Sequence, residues 1–260
     1  KANPEAAGKV NFDLAARKRD GLNARLQLTP KNSLSLGLFF EFTKDEFEEN
    51  ARFGLKEARN FSGGADISYS PSERVVLYAS YTREDTKNEM NSGAKDDKFN
   101  DPSTTLDDAF ANDNWNPLNY WNTTIDEEID TFGFGTTLHL IPNKLIFDAG
   151  YNISLSDISF TTLNPNGTVK LANAAAKVWP TIENTLHEVR ADLSYRFTKT
   201  FEIGLRYQFE KYELDNFMWS IMQPFMAGAS VENSTRYTFS DATYDGYQAH
   251  VGGIYFAYRF

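Results

Sequence analysis

The chain of 260 residues contains no cysteine. This excludes disulfide staples, thiolate metal sites and the Cys-x-x-Cys-His attachment of c-type haem within these residues, so any haem must sit on another chain. Also missing is any run of the roughly 18 apolar residues that a spanning helix requires, so the chain has no helical route through a bilayer. Basic residues are outnumbered, 26 against 36 acidic, and the formal net charge of −10 argues against a nucleic-acid partner, which calls for a basic face. There is no Gly-x-Ser-x-Gly elbow, His-Glu-x-x-His or phosphate loop. With only three histidines and no local pairing of nucleophile and base, an enzyme is not expected.

What the chain does have is an unusual combination. Aromatic residues reach 15%, with 21 Phe and 13 Tyr, while charged residues reach 24%. A lipid-facing β-barrel requires both at once, because alternate residues meet lipid and water. The alternation is explicit in Leu34, Leu36, Leu38, Phe40 and Phe42, whose neighbours Ser33, Ser35, Gly37, Phe39 and Glu41 are mostly small or polar. It recurs from Leu22 to Leu28, Phe61 to Tyr69, Val75 to Tyr81, Phe132 to Leu140, Leu145 to Leu155, Val189 to Phe197 and Phe201 to Phe209. A closing strand over about 245 to 260 carries Ile254, Phe256, Tyr258 and Phe260 on one parity, and a weaker strand from Val10 to Ala16 opens the series. The expected fold is therefore all-β: an antiparallel transmembrane β-barrel of about ten strands, with residues 1–260 forming one barrel domain or a segment of a larger barrel.

The connections fall into two classes. Thr29-Pro30-Lys31-Asn32, Ser70 to Arg74, Ile141-Pro142-Asn143-Lys144 and Thr198-Lys199-Thr200 are tight, and their Pro, Asn, Ser and Thr residues set turns rather than continue a ladder. Long segments lie between them, near 44–59, 85–126, 156–182 and 214–244. Lys18-Arg19-Asp20-Gly21 is read as a short hairpin on the long-loop side. Outer-membrane barrels keep short turns in the periplasm and long loops outside, so both termini are expected to be periplasmic. Tyr69, Phe197, Phe201, Tyr258 and Phe260 gather beside the short turns, as an interfacial aromatic girdle would.

Candidate sites follow from parity. Glu188, Arg190, Asp192 and Arg196 share the polar parity of one strand, and Glu202, Arg206, Gln208 and Glu210 that of the next. This charged wall suits cross-strand ion pairs facing a hydrated or protein-filled lumen. His187 and His250 fall on the lipid parity near the outer ends of their strands, where interfacial packing is expected, and His139 lies near the opposite rim. The 85–126 segment holds Asp96, Asp97, Asp101, Asp107, Asp108 and Asp113 beside Trp115, Tyr120 and Trp121. Calcium there is possible chemistry, but the Asp-x-Asp-x-Asp-Gly spacing with a distal Glu is missing.

Several stretches resemble one family. Trp179 to His187 leading into Leu193-Ser194-Tyr195-Arg196-Phe197, then Leu205 to Tyr212, Asp215-Asn216-Phe217, Tyr244-Asp245-Gly246-Tyr247 and Tyr258-Arg259-Phe260, are similar to the C-terminal strands of the MtrB/PioB proteins. Ala65 to Val75 and Leu77 to Tyr81 echo the same pattern earlier in the chain. The resemblance implies a wide barrel in the bacterial outer membrane that sheathes a multihaem cytochrome and lets electrons cross to or from the exterior, with haem carried only by the partner. Members of that family are much longer, with well over twenty strands, and many carry a Cys-x-x-Cys that this chain lacks. The partners expected are the bilayer and its lipopolysaccharide together with a periplasmic or extracellular multihaem cytochrome. A diffusion porin or nutrient transporter is the alternative.

Overall fold

A computed structural model of the chain describes residues 16–47, 53–95, 115–167, 175–217, 225–227, 237–239 and 246–259. Eight long strands follow one another: β1 Arg17–Lys31, β2 Leu34–Phe47, β3 Gly54–Ser72, β4 Val75–Lys95, β5 Trp115–Ile141, β6 Leu145–Leu163, β7 Ile182–Arg196 and β8 Phe201–Asp215. Two short strands, β9 Phe225–Ala227 and β10 Tyr237–Phe239, pair with each other, and β11 Gly246–Tyr258 returns to β8. The main sheet thus has nine strands in the order β1-β2-β3-β4-β5-β6-β7-β8-β11, every pair antiparallel. Among the described residues β1 and β11 are not paired with each other.

Register explains why the sequence alternation was so clear. Leu38 lies opposite Ala65, Ala65 opposite Tyr81, Tyr81 opposite Phe132, Phe132 opposite Ile153 and Ile153 opposite His187. Because side chains alternate with period two, one in-phase partner puts each strand's whole apolar set on the same face. That face remains open, with Leu22, Leu38, Ile67, Phe134, Leu205, Ile254 and Phe256 all exposed. Only Phe47, Phe53 and Ile182 are buried apolar residues among those described, so no soluble-protein core holds the fold together. The backbone ladder is the scaffold, and the apolar face is built to be covered by lipid.

The apolar band is about the same height on every strand, but the register does not run level with it. The row joining Leu34, Tyr69, Leu77, Thr136, Ala149, Ala191, Tyr207 and Gly252 starts at the foot of the band on β2. By β8 it has climbed to Tyr207, one outward position below Phe209, where the apolar run ends. Such drift is what tilted strands with a constant shear produce.

Two expectations need correction. The hairpin read at Lys18-Arg19-Asp20-Gly21 does not form: these residues continue β1, with Lys18 opposite Glu46, Arg19 opposite Asp45, Asp20 opposite Lys44 and Gly21 opposite Thr43. The strand Val10 to Ala16 and Phe260 lie outside the described residues, apart from Ala16, which sits just before β1. The strands also run well into the segments read as loops near 44–59 and 85–126, since β4 reaches Lys95 and β5 starts at Trp115. Near 156–182 β6 likewise runs on to Leu163, while near 214–244 β8 ends at Asp215.

The tight turns behave as their residues suggest. Asn143 takes a left-handed φ of 59° in the β5–β6 turn, a conformation Asn tolerates better than most residues, and Lys144 N donates to Ile141 O at 3.0 Å. In the β7–β8 turn the Thr198 hydroxyl accepts from Phe201 N at 3.0 Å, closing the loop with a side chain.

Candidate functional site

The face opposite the lipid band is polar, and β7 and β8 set its charged residues in register. Arg190 lies opposite Gln208, Asp192 opposite Arg206, Arg196 opposite Glu202 and Glu188 opposite Glu210. Arg206 Nε donates to Asp192 Oδ2 at 3.0 Å, and the Tyr255 hydroxyl of β11 donates to Asp192 Oδ1 at 2.9 Å. The Arg206 guanidinium also stands over the Tyr255 ring, 5.4 Å from its centre. Arg196 donates from Nε and Nη2 to Glu202 Oε2, each at 3.3 Å. Among the described residues Arg190 bonds along its own strand, to Glu188 Oε1 at 3.3 Å, and its side chain stays 64% exposed. Glu210 accepts the Tyr247 hydroxyl. All seven charged-wall residues therefore lie on one face: Asp192 and Arg206 form a cross-strand knot with Tyr255, Arg196 and Glu202 a second cross-strand pair, Arg190 and Glu188 a more open pair along one strand, and Glu210 joins Tyr247.

Around this knot the wall is hollowed. A concavity of about 720 Å³ is lined by Tyr78, Asp148, Asn152, Arg190, Asp192 and Arg206 among others. Gly150 belongs to its lining and lies opposite Gly135. The Tyr78 ring lies across Gly135 and reaches Gly150, in the space their side chains would take. Tyr255 covers Gly204 in the same way. No sequence motif marks these ring-over-glycine pairs, but their signal is present: a Gly and a Tyr at the same parity of neighbouring strands.

Beyond the apolar band the strands invert their polarity. On β5 the lipid-parity positions Phe134 and Phe132 give way to Asp130, Glu128 and Asp126, while the inner parity turns apolar at Ile129 and Ile125. On β6 Leu155 gives way to Asp157, and Ile158 and Phe160 turn inward. At the edge of the band Arg83 gathers three carboxylates, Asp85 at 2.7 Å, Glu128 at 2.6 Å and Asp130 at 2.7 Å, and the Tyr81 hydroxyl donates to Asp130 at 2.6 Å.

At the far end of β1 and β2, Arg19 donates through Nε and Nη2 to the two oxygens of Asp45, each at 2.6 Å, and Arg17 adds a contact at 3.3 Å. The Arg19 hydrogen bonds hold the buried Asp45 carboxyl below the usual carboxylate range. A folded-state pKa below the unfolded value of about 3.9 means that the stabilisation is complete above that pH and fades as pH falls through the folded value. Hydrogen exchange should therefore show the outer β1 amides around Gly21 losing protection near pH 3.5 relative to pH 6, and Arg19→Gln should flatten that difference. Equal pH dependence in the variant would contradict the assignment.

The other expected features are placed as follows. Tyr69, Phe197, Phe201 and Tyr258 are exposed on the lipid face beside the short turns. Phe197 meets Phe201 at 5.7 Å and Tyr195 at 4.6 Å between ring centres, and Phe201 stacks on Phe256 at 6.4 Å. His187 Nδ1 lies 2.8 Å from the Tyr151 hydroxyl and His250 Nδ1 2.9 Å from that of Tyr207, two copies of one diagonal arrangement on the lipid face. The acidic run Asp96 to Asp113 lies outside the described residues, within which no group of three or more His, Asp or Glu is arranged to hold a metal.

Long tilted strands, an exposed apolar band and a polar opposite face define a transmembrane β-barrel wall of the outer-membrane class. Residues 3–260 match the model of the outer membrane beta-barrel porin family MtrB/PioB, and the chain belongs to that family. No curated protein matches it in sequence. Among solved structures it is similar in fold to the copper transporter OprC, with 7% identity and a TM-score of 0.57 over 92% of this chain and 34% of that one. The unliganded ferric citrate transporter FecA gives 8% identity and a TM-score of 0.54 over 94% of this chain and 34% of that one. The RagAB peptide transporter gives 10% and 0.51 over 81% and 32%. The chain thus spans about a third of the length of these barrels.

Proposed function

We propose that this chain forms an arc of a wide outer-membrane wall that sheathes and positions a multihaem c-type cytochrome for electron transfer across the membrane. The observation that carries this reading is a nine-stranded sheet with a polar face opposite its apolar one, whose β1 and β11 are not paired with each other among the described residues. An open edge in hydrocarbon leaves backbone groups unsatisfied at several kcal/mol each, so in the proposed ring both edges are paired with strands. Each added strand widens the ring, and whereas a ring of about ten would be filled by its own side chains, a much wider one admits a protein. The partner carries the haems, while this wall insulates them from lipid and fixes their position. Its short turns face the periplasm and its long strand extensions face outward, following the asymmetry of outer-membrane barrels.

A second reading, a diffusion porin or nutrient transporter, is favoured by the concavity near Arg190 and Asp192, which offers water a charged lane along the wall. The two readings part on one preparation. If the barrel is a sheath, the native complex carries a Soret band in fixed ratio to the barrel and passes electrons across a vesicle membrane. A colourless barrel that conducts ions in a planar bilayer would overturn the sheath and establish the porin.

A further inference from the structure

On β2, β3 and β4 the first outward-facing residue past the apolar band is a cation in every case. Lys44 follows Phe42, Arg59 precedes Phe61 and Arg83 follows Tyr81, all on lipid parity. Lys44 lies directly opposite Arg59, and Arg59 opposite Lys87, so three cations also share one cross-strand row. The equivalent first positions on β5 and β6 are Asp130 and Asp157, and the next row brings Glu128, Asp157, Glu183 and Asp215 together as direct neighbours. The outward collar is therefore divided: on β2 to β4 a row of cations level with the edge of the band precedes a row of acids, Glu46, Glu57 and Glu89, whereas on β5 to β7 the collar carries carboxylates and no Lys or Arg among the described residues.

We infer that the β2–β4 sector is a docking surface for the phosphorylated headgroup of an outer-leaflet glycolipid. The acyl chains would lie on Phe40, Phe61 and Leu38, with the phosphate between Lys44 and Arg59. The height argues for this occupant, because a charge one position above the hydrocarbon edge meets headgroup phosphates and not the aqueous exterior. Charge favours this sector over β5 to β7, where the collar is acidic throughout; here a phosphate would share Lys44 and Arg59 with their partners Glu46 and Glu57. The cations are already oriented: Lys44 Nζ contacts Glu46 and Glu57 (the latter at 3.0 Å), and Arg59 pairs with Glu57. Glu57 holds both head groups side by side, while the Lys44 and Arg59 side chains remain 28% and 45% exposed. Arg83 is enclosed by Asp85, Glu128 and Asp130 and serves to end the cationic sector.

The inference rests on the orientation proposed above, in which this end of the strands faces outward. The test uses the full-length barrel in its native complex, with lipid A and its dephosphorylated form as probes and native mass spectrometry to count bound lipid. Lys44→Gln/Arg59→Gln is expected to lower lipid A retention about fivefold, a change on the scale of one to two exposed ion pairs. The charge-preserving swap Lys44→Arg/Arg59→Lys should keep retention within about twofold of wild type, which also covers the case in which the double Gln variant fails to fold. Equal retention in the Gln variant, or equal binding of dephosphorylated lipid by wild type, overturns the site. Orientation is read separately with Val178→Cys, at a position 97% exposed on the loop side of the strands. Maleimide labelling on intact cells supports the arrangement, and labelling only after lysis overturns the orientation and the docking together. A lipid A failure with Val178→Cys labelled from outside removes the docking alone.

Discussion

Leu205→Arg should destabilise the membrane-inserted barrel by about 2–4 kcal/mol, the cost of a guanidinium at the middle of the hydrocarbon layer. Leu205 is half exposed on the apolar face, lies midway along the β8 band between Phe201 and Phe209, and is flanked in register by Leu193 and Ile254. Among the described residues no carboxylate shares its face at that height, so the new charge would meet lipid. Gln208→Arg, on the polar face of the same strand, should cost less than about 1 kcal/mol, in line with exposed substitutions. Urea unfolding of full-length protein in lipid vesicles measures both. Equal effects at the two positions would mean that the exposed apolar face is not the lipid face.

The second large effect is expected at Gly204. A Cβ there would overlap the Tyr255 ring, and that ring cannot swing clear without losing its 2.9 Å bond to Asp192 and its contact with Arg206. Gly204→Ala should therefore cost about 1–3 kcal/mol, the range for forcing extra volume into a fitted site. Gly135→Ala makes the control. Its Cβ would overlap Tyr78 equally, but no hydrogen bond from the Tyr78 hydroxyl is seen among the described residues, and the side chain is exposed. Tyr78 can rotate away, and the cost should stay under about 1 kcal/mol. Thermal unfolding of the two variants separates an anchored ring from a loose one. A Gly135 effect as large as that at Gly204 would show that the anchoring at Asp192 is irrelevant.

Much of the wall was legible in the sequence because lipid enforces a strict rule. Each spanning strand must show one apolar side, so Leu34 to Phe42 and Phe201 to Phe209 declare both their phase and their extent. Tight turns were legible through Pro142, Asn143 and Thr198, whose chemistry acts locally. The failure at Lys18-Arg19-Asp20-Gly21 has the opposite origin. Asp-Gly is a strong local turn signal, but Arg19 finds Asp45 on the next strand, and that pairing carries the ladder through Gly21. Local chemistry lost to a distant partner. The strand extensions are masked in the sequence because their charge imitates a loop, although the alternation persists there with its sense reversed, Asp126, Glu128 and Asp130 against Ile125 and Ile129. The charged wall was found by parity alone, but which members bond to which depends on Tyr255, a residue contributed by β11 from far along the chain.

The slow climb of the row from Leu34 to Gly252 across the apolar band gives this wall the geometry of a screw thread. The offset between strands accumulates across the sheet, so anything lying against the polar face, whether solute or protein, meets grooves inclined to the membrane normal. A wall of this kind meets itself only when the accumulated offset and the number of strands agree, so the pitch recorded in these nine strands constrains the diameter of the ring they belong to.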